Sequence, residues 1–217
     1  METRSMYRKK LKEIQDDVLI MGGITGEAIL GAVEALKNRD LDMAQQIIEG
    51  DKKVNDLRFE IEEKCIQLIV TQQPIASDLR ILIAVLNIIT EIERIGDYAE
   101  GIAKITQMIG NEPPVKKLVD IPKMAEKAVD MLRRSLDAFI NQDAEAAKQI
   151  SSEDDEVDAL YDKIYLDLLA LMMKNPDIVS RATRLIWVTH DLERSADRVT
   201  NICERVIFVT TGKMEEM

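Results

Sequence analysis

Histidine and cysteine are scarce in this 217-residue sequence, and their scarcity excludes several kinds of site. His190 is the only histidine, so the chain does not supply the two Glu-x-x-His motifs of a ferritin-like di-iron enzyme. Zinc and copper sites normally need histidine or cysteine ligands. Cys65 and Cys203 lie in helical patterns in different halves of the chain. We therefore expect two core thiols and no disulfide framework.

Familiar catalytic motifs are missing as well. The sequence has no G-x-x-x-x-G-K-[ST] phosphate loop, no glycine-rich loop after a strand, and no Ser/His/Asp or Cys/His set. These absences leave enzymatic chemistry with little support, and we expect a protein that is not an enzyme.

Basic surfaces and long apolar runs are also lacking. The formal net charge is −11, and no concentrated Lys/Arg face with interleaved aromatic residues is present, which argues against a nucleic-acid partner. No signal segment opens the sequence, and no apolar run reaches the roughly 18 residues of a membrane span. We predict a cytoplasmic protein without membrane insertion.

Proline, glycine and aromatic residues are few, and this composition favours long helices. The strongest break lies at Gly110, Asn111, Pro113 and Pro114, and it predicts a boundary between a first domain, 1–110, and a second, 115–217. The main apolar stripe of the third predicted helix recurs at steps of four and three, as a buried helix face requires. It comprises Ile81, Val85, Ile88, Ile92, Ile95, Ala99 and Ile102.

The second half of the chain repeats the first. At a shift of 103, Asp40, Ala44, Gln46, Ile47, Asp51, Val54, Leu57, Ile61 and Leu68 recur as Asp143, Ala147, Gln149, Ile150, Asp154, Val157, Leu160, Ile164 and Leu171. At a shift of 100, Glu93, Arg94 and Asp97 recur as Glu193, Arg194 and Asp197. The repeat predicts an all-α fold of two tandem homologous three-helix bundles, with six long antiparallel helices.

Glycines interrupt the first predicted helix at Gly22, Gly23 and Gly26. Each glycine in a helix interior costs roughly 1 kcal/mol relative to alanine. We expect the close approach of a neighbouring helix to offset that cost.

Oxygen-bearing side chains recur in pairs, four residues apart, beside the apolar stripes of the second and third helix of each repeat. These pairs are Asp51 and Asn55, Glu93 and Asp97, Asp154 and Asp158, and Glu193 and Asp197. If the two edges of a repeat face each other, the close carboxylates raise one another's pKa or recruit a cation. Sites made only of oxygen ligands suit magnesium, manganese or calcium and tolerate iron.

A plainer interpretation is that these acids form solvated faces paired with Arg94, Arg194 and Arg198. One Glu-x-x-x-Asp motif is common, but its recurrence at equivalent places beside buried stripes favours metal binding. His190 precedes Glu193 by three residues. We interpret it as the partner of a neighbouring carboxylate, or at most as an outer ligand.

Glu-Arg-Ile-Gly-Asp at 93–97 and Glu-Arg-Ser-Ala-Asp at 193–197, each preceded by an Asp-x-x-Val segment in the middle helix, resemble the PhoU family of phosphate-uptake regulators. The resemblance covers nearly the whole chain. It implies an all-helical cytoplasmic protein that holds multinuclear metal clusters, with iron as the leading metal and manganese, magnesium or zinc as alternatives. The implied metal positions are Asp51, Glu93, Asp97, Asp154, Asp158, Glu193 and Asp197.

The same resemblance implies a negative regulator that links the ATPase of the phosphate ABC transporter, PstB, to the sensor histidine kinase PhoR, and it leaves a homodimer open. Asn55 stands where an acid is expected, so the first site is expected to be unequal to the second. Glu100, one turn beyond Asp97, is a candidate replacement ligand. Two other classes stay open: a carboxylate-bridged metalloenzyme and a plain helical scaffold with solvated acids.

Overall fold

The computed structural model describes the backbone of residues 2–213 and the side chains of residues 6–213. The helices are α1 (Glu2–Asn38), α2 (Leu41–Gln72), α3 (Ala76–Ile109), α4 (Asp120–Asn141), α5 (Ala144–Ser152), α6 (Asp154–Lys174) and α7 (Val179–Thr211). A single 3-10 turn, Pro176–Ile178, joins α6 to α7. No strand occurs in this range, and the predicted all-α fold with a tandem repeat is confirmed.

The repeat is visible in the structure as well as in the sequence. Asp40 accepts a hydrogen bond from the amide of Met43 at 2.9 Å, and Asp143 accepts one from the amide of Ala146 at 3.0 Å. These two aspartates cap α2 and α5, because each satisfies an amide that the first helical turn leaves free. Thus α1 corresponds to α4, α2 to α5 and α6 together, and α3 to α7.

Glu153 divides the fifth predicted helix into α5 and α6. The amide of Glu153 bonds to the carbonyl of Ile150, three residues back, at 3.1 Å. Its carboxylate is bound by two cations of α4: Lys127 Nζ lies 2.7 Å from Oε2, and Arg134 binds both oxygens. This double ion pair lowers the pKa of Glu153 to about 2. The break between α5 and α6 therefore lies where two cations of α4 form ion pairs with the chain.

Each repeat packs as a bundle, and the two bundles share one core. α1, α2 and α3 pack against one another, as do α4, α5, α6 and α7, and the bundles meet where α3 packs on α7 and α1 on α4. The buried apolar side chains form one continuous cluster across all of these helices. Cys65 and Cys203 are buried in that cluster with free thiols, as expected.

The three glycines of α1 differ in their surroundings. A Cβ at Gly22 would stand 2.2 Å from Leu136 Cδ1 of α4, and one at Gly26 would stand 3.1 Å from Val129 Cγ1. Close helix approach is therefore confirmed at these two positions. The same prediction is wrong for Gly23, which has no neighbouring atom within 4 Å of a Cβ because it faces away from α4.

α1 differs in one respect from the expectation that no apolar stretch reaches the length of a membrane span. Within Met6–Asn38 it contains an 18-residue window long and apolar enough to cross a bilayer. Half of that window is buried inside the structure, and a core helix passes the same test, so the window is weak evidence for a span. No other helix in residues 6–213 meets the criterion.

The segment that joins the repeats is held by the beginning of α7. Arg184 Nη1 donates a hydrogen bond to the carbonyl of Met108 at 2.6 Å, and Arg181 Nη1 donates one to the carbonyl of Pro113. Arg181 Nε also lies 3.1 Å from a carboxylate oxygen of Glu112. Deeper in the α3–α7 contact, Glu91 pairs with Arg198 at 3.4 Å.

Candidate functional site

The acidic pairs of the second repeat lie on α6 and α7 and form what we call the second acidic cluster: Asp154, Asp158, Glu193 and Asp197. Burial raises the pKa of Asp154 to about 6, and the negative charges of Asp158, Asp197 and Glu193 add to the rise. Within the described side chains, Asp154 Oδ1 and Glu193 Oε2 are buried and accept no hydrogen bond. The cluster therefore carries excess negative charge and unsatisfied acceptors.

Two other members of the second acidic cluster, Asp158 and Glu193, are perturbed in the same direction. Burial raises the pKa of Asp158 and of Glu193, and the nearby charge of Asp197 raises both further. Arg194 offers partial relief, because its Nη1 lies 2.8 Å from Asp197 Oδ2. This ion pair confirms the predicted partnership of Arg194 with the acidic motif.

The first acidic cluster comprises Asp51, Glu93 and Asp97, with Asn55 beside them. Asp51 of α2 lies over the backbone of α3, because its Oδ1 is 3.4 Å from the position of a Cβ at Gly96. That oxygen is buried and has no hydrogen-bond partner among the described residues. Burial raises the pKa of Asp51, followed by the charges of Asp97 and Glu100.

The first acidic cluster is less strained than the second. Asn55 Nδ2 donates a hydrogen bond to Asp51 Oδ2 at 2.7 Å, which favours the ionised carboxylate. Burial raises the pKa of Glu93 and of Asp97, and each is raised further by a neighbouring acid, Asp97 for Glu93 and Glu100 for Asp97.

The cations around the first acidic cluster are only partly those expected from the sequence. Arg58, on α2, lies 3.6 Å from Glu93 Oε1, a pairing that the sequence pattern does not predict. Glu100, the candidate replacement ligand, is bound by Lys104 at 2.6 Å. Arg198, expected beside the acidic motif of α7, pairs with Glu91 of α3 instead. The Arg198 guanidinium therefore lies in the contact between α3 and α7, where the bundles meet.

His190 lies beside a carboxylate, as expected, but the carboxylate is Asp191. The distance from His190 Nδ1 to Asp191 Oδ1 is 3.9 Å. Burial raises the pKa of Asp191 to about 6, and His190 opposes that rise. Asp191 also faces α3, since its Oδ2 lies 3.0 Å from the position of a Cβ at Gly101. The His190 side chain itself is exposed.

The donor atoms of both clusters match a hard cation. Carboxylate oxygens dominate each cluster, and buried oxygens without donors are groups that a cation would satisfy. Over residues 6–213, no three Asp, Glu, His or Cys side chains form a ready-made ligand set. A metal held by these side chains would need them to move closer together, and its positive charge would offset the repulsion between the acids.

Comparison with known proteins gives consistent relatives. The family model of the PhoU domain matches residues 18–106 and 121–206. A protein named phosphate-specific transport system accessory protein PhoU homolog, from Clostridium acetobutylicum, is 37% identical over 216 residues, which are 99% of each chain. The Escherichia coli K12 protein named phosphate-specific transport system accessory protein PhoU is 33% identical over 95% of this chain and 86% of its own.

Two crystal structures have the same architecture. PhoU from Pseudomonas aeruginosa superposes with a TM-score of 0.89 at 32% identity, over 95% of this chain and all of that one. The phosphate transport system regulatory protein PhoU from Streptococcus pneumoniae gives a TM-score of 0.89 at 28% identity, over 97% of this chain and all of the other.

Proposed function

Because the chain belongs to the PhoU family, we propose that it is a cytoplasmic negative regulator of phosphate uptake and of phosphate-starvation signalling. Relatives that match nearly the whole chain are named as accessory proteins of the phosphate-specific transport system. The observation that supports a regulatory mechanism is the duplicated acidic surface. It offers groups that can bind a cation, but it does not pair a nucleophile with a general base.

Each acidic cluster would bind metal. Asp154, Asp158, Glu193 and Asp197 would hold the metal of the second repeat. Asp51, Glu93 and Asp97 would hold that of the first. Iron is the leading candidate, with manganese, magnesium or zinc as alternatives. The bound metal would supply positive charge, and the side chains would fix α6 against α7 and α2 against α3 by binding it jointly.

The regulator would act as an adaptor between the transporter ATPase, which is PstB-like, and the sensor kinase, which is PhoR-like. Such an adaptor needs a surface whose shape persists while its partners change state. Two long helices joined by metal bonds at each cluster meet that need. Regulation would then proceed by binding and release, with no chemical step on the protein. Pairing of two copies as a homodimer stays a prediction.

The regulatory role is tested by genetic replacement in the source organism. A phosphate-starvation reporter should be repressed in high phosphate, should become active when the gene is deleted, and should be repressed again by the wild-type copy. Deletion without any effect on the reporter would contradict the proposal.

The metal is tested by elemental analysis of protein purified without a chelating step. The double variant Glu193→Ala with Asp197→Ala should lose metal that the parent retains. A matched control removes two exposed acids, Glu145→Ala with Asp177→Ala, and should retain metal at the parental level. Equal metal in all three proteins, or none after incubation with iron, manganese, magnesium or zinc, would exclude metal binding by the second acidic cluster.

A further inference from the structure

A cavity of about 450 Å³ lies where the two repeats join. Its walls come from the end of α1 and the turn after it, the last residue of α3, the linker up to residue 118, and the first turns of α7. The volume falls within the range of pockets that bind small molecules, roughly 300–1,000 Å³. None of its lining residues belongs to either acidic cluster.

The floor of this junction cavity is apolar. Leu36 of α1 and Leu185 of α7 are buried there, each only 4% exposed. Ile109, Val115 and Leu118 are partly buried and complete the apolar lining. An apolar surface of this kind favours a ligand with a hydrophobic ring or chain and disfavours a bare inorganic ion.

The rim of the junction cavity is basic, although the protein as a whole has a net charge of −11. Five cationic side chains line it against one acid, Glu112; the cations are Lys37, Arg39, Lys116, Lys117 and Arg181. Glu112 is already bound by Arg181 at 3.1 Å. The rim therefore has a positive charge that its own acid does not balance.

Two of these cations are available to a ligand. Lys37 pairs with Glu34 at 3.1 Å, and Lys116 pairs with Asp167 at 2.8 Å. Arg39 and Lys117 are exposed, and neither side chain has an ion-pair partner in the part of the chain that the structure describes. Arg39 comes from the turn after α1 and Lys117 from the linker, so they flank the cavity from two segments.

We infer that the junction cavity binds a small amphipathic organic anion: an apolar ring or chain that fills the floor, joined to a phosphate, sulfonate or carboxylate that Arg39 and Lys117 hold at the rim. Arg39 offers a planar fork of donors to such a group, and Lys117 adds a point charge. This site is independent of the metal clusters and of the proposed regulatory role.

Such a ligand would contact both repeats at once. Leu36 and Arg39 belong to the first repeat, Leu185 to the second, and Lys117 to the linker between them. Because the ligand would bind only the assembled junction, it would stabilise the folded protein against unfolding.

The inference is tested with two probes that differ only in the anionic group. 8-Anilino-1-naphthalenesulfonate carries the sulfonate, and N-phenyl-1-naphthylamine has the same rings without it. Titrated into the full-length protein at low ionic strength, the sulfonate should bind at one site per chain. The double variant Arg39→Glu with Lys117→Glu should weaken its affinity at least tenfold and change that of the neutral probe less than twofold.

A charge-matched control distinguishes binding in the cavity from a general electrostatic effect of the protein's net charge. Lys10→Glu with Lys12→Glu makes the same charge change on exposed residues of α1, about 40 Å along the helix from Arg39. This control should bind the sulfonate within twofold of the parent. Val115→Asp, which places a carboxylate on the floor, should weaken both probes. The inference is overturned if the sulfonate does not bind, if the rim variant binds it as the parent does, or if the control loses as much affinity.

Discussion

Asn55 donates a hydrogen bond from Nδ2 to Asp51 Oδ2 at 2.7 Å. The equivalent pair in the second repeat, Asp158 and Asp154, has two acids instead, and Asp158 raises the pKa of Asp154. One amide therefore makes the two clusters unequal: the first carries an internal hydrogen bond, and the second carries an additional repulsion. A cation gains more from neutralising the second.

This inequality predicts an order of metal affinity. Asp158→Asn should weaken manganese binding at the second cluster by about tenfold, because it replaces a charged ligand by a neutral one. Asn55→Asp should strengthen binding at the first. Isothermal titration calorimetry of both variants and the parent measures the two sites. Opposite or absent changes would show that these positions do not face the metal.

The stability of the metal-free protein should depend on Asp154. Its pKa is about 6 in the fold and 3.8 as a free side chain, so between about pH 4 and pH 6 the folded state holds a proton that the unfolded state releases. Stability from this group is present at low pH and is lost as pH rises through 6.

In chelator-treated samples, raising the pH from 5 to 8 should therefore lower the unfolding free energy of the parent more than that of Asp154→Asn. The difference should be about 1 kcal/mol after allowance for partial exposure. Urea denaturation at the two pH values measures it. Asp155→Asn, at the exposed adjacent position, is the control and should follow the parent. A parallel pH dependence of Asp154→Asn and the parent would contradict the assignment.

The ion pairs of Glu153 should contribute substantially to stability. Glu153→Gln leaves Arg134 and Lys127 half-buried without their shared carboxylate, and should cost about 2 kcal/mol at pH 7. Glu156→Gln removes only the exposed partner of Lys127, at 2.9 Å, and should cost less than about 0.5 kcal/mol.

The pH dependence checks the cause. Because the pKa of Glu153 is lowered to about 2, its contribution is complete above pH 4.5 and is lost as pH falls toward 2. The difference between Glu153→Gln and the parent should shrink accordingly between pH 5 and pH 3 in denaturant titrations. A constant difference would indicate a packing effect.

Two neighbouring glycines of α1 should respond to alanine with opposite signs. Gly23→Ala should stabilise by about 0.5–1 kcal/mol, because the added methyl meets nothing and the unfolded chain loses freedom. Gly22→Ala should destabilise by about 1–3 kcal/mol, because its Cβ would displace the buried Leu136. Thermal denaturation distinguishes the two substitutions. Stabilisation by both would mean that α4 shifts to make room for a Cβ at position 22.

The features that follow a local rule are those that the sequence predicted. Helix periodicity identified the long helices, and the shift of 103 identified the repeat. The acidic motifs were placed beside the buried stripes for the same reason, since a helix fixes which residues share a face.

The features that the sequence did not predict depend on contacts between distant residues. The break at Glu153 coincides with ion pairs to Lys127 and Arg134, which lie 26 and 19 positions away. The orientation of Arg198 toward Glu91 spans 107 positions, and the difference between Gly22 and Gly23 depends on where α4 crosses α1. Periodicity identifies a buried face, but it does not identify the helix that covers it.

Two arginines of α7 bind a carbonyl at the end of α3 and one in the linker, and these bonds affect how the molecule unfolds. The carbonyls of Met108 and Pro113 are held by a helix from the opposite repeat, and the core runs without interruption between the repeats. Opening one bundle would expose the apolar surface of the other. The two halves are therefore copies of one sequence unit but not separate units of stability. The chain should melt in a single cooperative transition.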